Sequence, residues 1–342
     1  MTNSNLNINS VFLKRKCESS LLFFTRYIYK ENHRRNFIVA PHLIKITDAL
    51  QKIASGETKR LIINIPPRYG KTELAVKCFI AWSLANKPAS KFIHLSYSDD
   101  LALDNSSQTK EYIESDSFQS LWEMKLKKDA QGKKKWFNEL GGGVYATASG
   151  GAITGFGAGV AESKVFSGAI IIDDPLKPDD ANSETKRNAV NERYNSTIRS
   201  RVNDRETPII VIMQRLHNED LVGCIEQNYF KDFREWTFLK IKALNEDNNE
   251  SFWEDFYPVS RLEQMKNSNS HYFYSQFQQE PIIKGGNRIK YDWFRWWTVL
   301  PQISHLIITV DTAQKTKEQN DYTVMQCWAV SKDKDIYLID MI

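Results

Sequence analysis

Apolar side chains recur at helical spacing over residues 11–29 and again over 42–53, so each stretch predicts an amphipathic helix. Ser55 and Gly56 end the second, because glycine readily takes the left-handed turn that follows a helix. Residues 1–10 are polar and aperiodic and read as a loosely held arm. Beyond residue 60 the pattern changes to short apolar runs: LIINI (61–65), KFIHLSYS (91–98), AIIIDD (169–174), PIIVIMQ (208–214) and FLKIKAL (238–244). They are rich in Ile and Val and alternate little, which predicts strands covered on both faces. Helical stretches at 73–86, 101–115 and 183–202 separate several of these runs. Strand–helix alternation of this kind predicts an α/β architecture with a parallel sheet and right-handed crossovers. The glycine-dense stretch 141–159, GGGVYATASGGAITGFGAG, is expected to be a hairpin or loop inside the domain, since a core strand follows at once.

Composition turns acidic and polar at 245–251, then aromatic (SFWEDFYP), and shifts again at Gly285 and Gly286. After the aromatic patch 291–297, three strand-like runs appear, HLIITVD (305–311), TVMQCWAV (323–330) and DIYLIDMI (335–342). The last of them reaches the final residue, so this second sheet is expected to be incomplete. The expected organisation is an arm and helix (1–35), an α/β domain (36–250), a linking subdomain (251–300) and the start of a further domain (301–342). No internal repeat is present.

With 342 residues, 41% of them hydrophobic and 26% charged, the chain has the composition of a globular protein with a sizeable core. A net charge of +4 permits nucleic-acid contact without demanding it. The basic run KLKKDAQGKKK (125–135) reads first as a solvated loop, and secondly as a contact for phosphates or a partner. Cys17, Cys78, Cys224 and Cys327 lie too far apart for a metal or redox motif, which points to a reducing compartment. The N-terminus has no basic region feeding an apolar one, and no apolar run approaches a bilayer span. A soluble cytoplasmic protein without membrane contact is expected.

The strongest motif is Pro66-Pro67-Arg68-Tyr69-Gly70-Lys71-Thr72, directly after a strand and directly before a helix. A loop so placed aims backbone N–H groups and a helix N-terminus at one spot, which suits a polyphosphate. Gly70 lets the backbone approach, Lys71 reaches the β- and γ-phosphates, and Thr72 holds Mg²⁺. The usual motif has a further glycine where this chain has Ile65. A chance G-K-T at a turn is the competing explanation, and the order strand, loop, helix favours the phosphate site. AIIIDDP supplies its acidic partner: Asp173 for the metal, through water or Thr72, and Asp174 to orient or deprotonate the attacking water. On the bland view this is an ordinary Asp-Pro turn.

RLIINIPPRYGKTE resembles the ATP site of phage terminase large subunits, in many of which proline-proline-arginine replaces the first glycine. Five further segments are similar in the same order: LSYSDDLALDNSSQTKEYIES, TASGGAITGFGAG with AIIIDDP, IIVIMQRLHNEDLVG, YSQFQQEP, and IITVDTAQKTKEQNDYTV. The resemblance covers roughly residues 36–330. It implies a P-loop NTPase fold of the additional-strand, RecA-like kind, a parallel sheet flanked by helices. A ribonuclease-H-like nuclease domain, incomplete here, would follow it. It implies a ring-forming motor that spends ATP, with Mg²⁺, to drive viral double-stranded DNA into a capsid in the host cytoplasm. A portal protein and a small terminase subunit would be its partners.

The same resemblance places Pro67, Arg68, Tyr69, Gly70, Lys71, Thr72, Glu73 and His42 at the nucleotide. Arg68 would sense the γ-phosphate. A second arginine, given to a neighbouring subunit's site, would be Arg199 or Arg201, with Arg193 open; for any one of them a solvated helix face or a phosphate contact is the plainer reading. Gln214 would couple hydrolysis to movement. His217, Glu219 and Asp220 read as a capped turn into a helix. In the nuclease part Asp311 would bind Mg²⁺ or Mn²⁺, Asp321 is an acid close behind it, and Asp340 reads as a strand end. Asp174 departs from the family's frequent glutamate by one methylene. Two rivals stand beside this reading: a helicase-like, DNA-stimulated ATPase, and a prophage remnant that binds nucleotide without motor function.

Overall fold

The structure, a computed structural model, describes residues 8–153, 155–231, 235–282, 295–311 and 324–342. The chain divides into two compact units, residues 1–284 and 285–342.

In the first unit, helices α1 (Ile8–Ser19) and α2 (Leu21–His33) replace the single helix expected over 11–29. Ser20 is extended at φ −141° and its hydroxyl accepts a hydrogen bond from the Phe23 amide. It therefore caps the second helix and breaks the first. Part of the expected arm is helical too, since α1 begins at Ile8. Helix α3 (Pro41–Ser55) follows and ends at Gly56, φ 84°. It leads into β1 (Arg60–Asn64), which is buried throughout. The helix expected over 73–86 opens with a π-helical turn, Glu73–Cys78, before α4 (Phe79–Asn86). Next come β2 (Lys91–Ser96), α5 (Asp99–Glu114) and α6 (Asp116–Trp122).

The basic run expected as a loop instead forms an antiparallel ribbon, β3 (Leu126–Gln131) with β4 (Lys135–Asn138). The glycine-dense stretch expected as a hairpin or loop contains a core strand, β5 (Gly143–Ala148), parallel to β2 and antiparallel to β4. Glycine is required there for space. A Cβ on Gly143 would sit 2.1 Å from the Trp136 carbonyl oxygen, and one on Gly142 would sit 2.0 Å from that of Pro88. Strand β6 (Ile170–Asp173) is followed by α7 (Glu184–Ser196), which stops short of the expected 202 and passes into a 3₁₀ turn, Ile198–Ser200. Then come β7 (Ile209–Met213), α8 (Leu221–Glu226) and β8 (Thr237–Lys240). A short ribbon, β9 (Leu244–Asn245) with β10 (Glu250–Ser251), and α9 (Val259–Ser268) complete the unit with a second π turn, Phe273–Phe277.

Eight strands form one sheet in the order β3-β4-β5-β2-β6-β7-β1-β8. The six strands from β5 to β8 pair in parallel; β3 and β4 are antiparallel, so the all-parallel expectation fails at that edge. A β-ribbon needs no crossover, so a short polar turn extends the sheet there. At the other edge β8, among the described residues, pairs with β1 alone and is largely exposed, unlike the doubly covered strand expected. The central strands do meet expectation. Leu61 and Ile63 enter one core while Ile62 enters the other, and Ile210 and Ile212 oppose Ile209 and Val211 in the same way. The first core carries α1–α6, the second α7 and α8. Consecutive apolar residues are what a sheet with helices on both faces needs. Trp253, Tyr257, Leu262, Phe273 and Phe277 pack on the first core.

The second unit is an antiparallel meander, β11 (Ile303–Asp311), β12 (Val324–Ser331) and β13 (Ile336–Met341).

Candidate nucleotide cleft

Strand β1 runs straight into the loop. Ile65 is fully buried, so the side chain at the position where a glycine is usual belongs to the core here. Two residues take left-handed backbone, Arg68 at φ 67° and Gly70 at φ 74°. A Cβ on Gly70 would find ordinary room, 3.8 Å from Leu43, so glycine serves the dihedral and not the space. At Arg68 a non-glycine residue holds the strained region, as loops at functional sites often do.

The loop is held from below. Tyr69 is wholly buried, stacked on Tyr257 at 5.4 Å and 14° and edge-on to Trp253 at 5.4 Å. Its carbonyl oxygen accepts a hydrogen bond from His42 Nε2 at 2.9 Å. Burial holds the His42 imidazole at about 4, well under its ordinary 6.5, although the Tyr69 bond works against that shift. The side chains of His42 and Tyr69 thus form the floor of the loop and do not line the cleft.

Above the loop lies a cleft of about 450 Å³, within the range of small-ligand sites. It is lined by Pro67, Arg68, Gly70, Lys71, Thr72 and Glu73, together with Asp173, Asp174 and Gln214. The loop after β1 and the acids after β6 meet although β7 lies between their strands. Lys71 Nζ is 2.6 Å from the Asp174 carboxylate, and Thr72 Oγ1 donates to Asp173 Oδ2 at 2.8 Å. Asp174 is itself left-handed, φ 44°, and its Oδ1 accepts from the Gln214 amide at 3.4 Å.

Asp173 is buried, and burial first, then repulsion from Asp174, raises its carboxyl to about 7 against the pull of Lys71. Its Oδ1 has no hydrogen-bond partner among the described residues. A buried carboxylate oxygen left over beside a hydroxyl is a hard-oxygen donor set, which fits Mg²⁺. The Gln214 Oε1 is likewise buried without a hydrogen-bond partner among the described residues.

The three arginines lie elsewhere; none lines this cleft. Arg199 donates to the carbonyls of Asn195 and Phe230, each at 3.0 Å. Arg193 donates to the Gly151 carbonyl. The Nε of Arg201 is buried without a hydrogen-bond partner among the described residues. Asp220 caps α8 through the Gly223 amide at 2.9 Å and pairs with Arg215, while Glu219 pairs with Arg187. Among the described residues no group of acids, histidines and cysteines could hold a metal ion by itself. In the meander Asp311 ends β11 opposite Val324, whereas Asp340 pairs with Cys327, which pairs with Ile308. Side chains alternate along a strand, so Asp311 and Asp340 point to opposite faces. Asp321 lies outside the described residues.

Sequence reasoning missed several contributors. Ser96, Tyr97, Leu101, Asn105 and Pro178 also line the cleft. Glu73 accepts from Lys77 at 2.6 Å and from the Tyr112 hydroxyl, which ties the π turn to α5. Gln278 and Gln279 are fully buried; Gln279 Oε1 accepts from the Arg215 amide at 2.9 Å, next to Gln214. A glutamine pair in an aromatic segment was the only available signal.

An α/β sheet with a loop-and-carboxylate cleft at the strand ends defines the class of this protein. No protein-family model and no curated protein matches the chain. Among solved structures it is similar to the HK97 bacteriophage large terminase, at 12% identity and a TM-score of 0.49, over 89% of this chain and 63% of that one. It is also similar to the large terminase of a thermophilic bacteriophage in complex with ATP-γ-S, at 11% identity and a TM-score of 0.41, over 89% and 68% of the two chains. The same protein in complex with ADP matches at 11% identity and a TM-score of 0.43, over 89% and 69%. The chain thus spans less than two thirds of the HK97 protein, 63% of it. Among the described residues no helix is long and apolar enough to cross a membrane.

Proposed function

We propose that this chain binds ATP in the cleft of Lys71, Thr72, Asp173 and Asp174 and hydrolyses it as the motor of a terminase large subunit. The observation that carries the reading is the convergence of two sequence motifs, with Lys71 2.6 Å from Asp174 and Thr72 2.8 Å from Asp173.

Lys71 and the loop amides would bind the β- and γ-phosphates. Arg68, held over the cleft in left-handed backbone, would contact the γ-phosphate. Thr72 and Asp173 would hold Mg²⁺, which neutralises phosphate charge when bound. A phosphate beside Lys71 would compete with Asp174 for the ammonium and release that carboxylate. Asp174, still tied to the Gln214 amide, then takes a proton from water. The water oxygen bonds to the γ-phosphorus, and the bond from that phosphorus to the β–γ bridging oxygen breaks, giving ADP and phosphate. Gln214, which lines the same cleft, would sense the loss of the γ-phosphate and couple it to movement.

The wider reading rests on the resemblance of the motifs. In it a ring of such subunits moves double-stranded DNA in the host cytoplasm, with a portal protein and a small terminase subunit as partners. Asp311 would serve a nuclease site with Mg²⁺ or Mn²⁺. Phosphate release from ATP by the purified chain tests the core of this proposal. Turnover that needs Mg²⁺ and disappears in Lys71→Ala is expected; wild-type turnover in that variant would refute it.

A further inference from the structure

We infer that the β3–β4 ribbon is a contact surface for the phosphate backbone of duplex DNA, separate from the nucleotide cleft. Residues 125–135 carry six lysines, Lys125, Lys127, Lys128, Lys133, Lys134 and Lys135, against one carboxylate, Asp129. The whole chain has a net charge of +4, so this ribbon holds more than the entire positive excess. All six are exposed, and among the described residues none has an ion-pair partner. Lys134 helps to hold Asp99 below its ordinary range, after the Ala148 and Thr147 hydrogen bonds.

The ribbon is anchored, so these charges are displayed on a fixed frame. Trp136 is fully buried and its indole donates to Ser106 of α5 at 2.9 Å. Asn138 donates to the Pro88 carbonyl at 2.7 Å. Beside the lysines lies a half-buried aromatic set. Phe156 stacks on Tyr145 at 5.4 Å and lies 5.7 Å from Phe137, while Lys134 and Lys135 sit over the Tyr145 and Phe137 rings at 5.8 and 5.4 Å.

Uncompensated ammonium groups recognise a dense line of phosphates, and binding gains from the counterions they release. Lysine alone, without the planar fork of arginine, suits contacts that ignore base sequence. A two-stranded ribbon also has the cross-section that the major groove admits. The competing explanation is that lysines on β3, the outermost strand, only prevent edge-to-edge pairing with another chain.

Fluorescence anisotropy with a labelled 30-base-pair duplex, titrated at several NaCl concentrations, separates the two. The triple variant Lys127→Gln, Lys128→Gln, Lys133→Gln removes charge while leaving the buried anchors. A control, Arg15→Gln, Lys16→Gln, Lys30→Gln, removes the same charge from α1 and α2. The ribbon variant is expected to bind at least tenfold more weakly, with a salt slope lower by about 2–3, at roughly 0.9 per phosphate contact. The control should change affinity less than threefold. Equal losses in both variants, no measurable binding by the unaltered chain, or self-association with an unchanged salt slope would each overturn the inference. So would binding to phosphatidylserine vesicles that excess duplex fails to displace. Hydrolysis of ATP without DNA is read separately: its absence would strike the proposed function and leave the ribbon result standing.

Discussion

Lys71 and Asp174, 103 residues apart in the chain, form an ion pair at 2.6 Å across the mouth of the cleft. Both belong to turns that follow buried strands, and both are held by the strand ends on either side of β7. On the proposed mechanism, the pairing would keep Asp174 from acting as base until a competing anion drew Lys71 away. Hydrolysis would then begin with an exchange of partners on one ammonium group.

The two neighbouring acids should behave differently. Among the described residues Asp173 has a buried oxygen without a hydrogen-bond partner and shares its other oxygen with Thr72. Asp173→Asn should therefore weaken binding of Mg²⁺–ATP by tenfold or more while changing metal-free ATP binding little. Calorimetric titration with and without chelator measures both. Equal affinity for Mg²⁺–ATP in variant and parent would remove Asp173 from the metal site.

None of Arg193, Arg199 and Arg201 lines the cleft of its own chain. If one of them completes a neighbour's site, mixing its alanine variant with a Lys71→Ala chain should restore measurable ATP turnover. One composite site in such a mixture has an intact loop and an intact arginine. Failure of rescue for all three would mean that the arginine acts in cis or lies elsewhere.

The contribution of His42 to stability should fall on mild acidification. His42 is buried as the neutral imidazole, at about 4 against an ordinary 6.5, so its contribution is complete above 6.5 and is lost as pH falls toward 4. At about 1.4 kcal/mol per unit the ceiling is on the order of 3 kcal/mol. His94, buried and likewise at about 4, acts in the same sense; Asp173, raised to about 7, acts in the opposite one. The informative quantity is therefore the difference between parent and His42→Gln, which keeps a donor for the Tyr69 carbonyl. Urea midpoints from pH 7 to pH 4 should converge for the two proteins; parallel curves would contradict the assignment.

The central sheet was legible because strands covered on both faces carry consecutive apolar residues, as β7 does throughout and as Leu61–Ile63 of β1 and Ile170–Ile172 of β6 do. The loop and the acids were legible because phosphate chemistry demands particular residues beside particular strands. The β3–β4 ribbon was hidden because few of its residues face the core, chiefly Trp136 and Asn138. Strand β5 was hidden because the glycines that let it approach Trp136 and Pro88 are also what a loop would contain. The places of Gln278 and Gln279 rest on hydrogen bonds to residues 34 and 64 positions away, and no local pattern records those.

Hydrolysis at this cleft is tested most directly by phosphate release from Asp174→Asn at saturating Mg²⁺–ATP, with binding measured on the same protein. Loss of a general base costs about 10²–10⁴ in rate, whereas Asp173, Thr72 and Lys71 would still hold the nucleotide. Turnover should fall by at least a hundredfold with affinity within about threefold of the parent. Turnover equal to that of the parent chain would contradict the role of Asp174, and with it hydrolysis by the arrangement described.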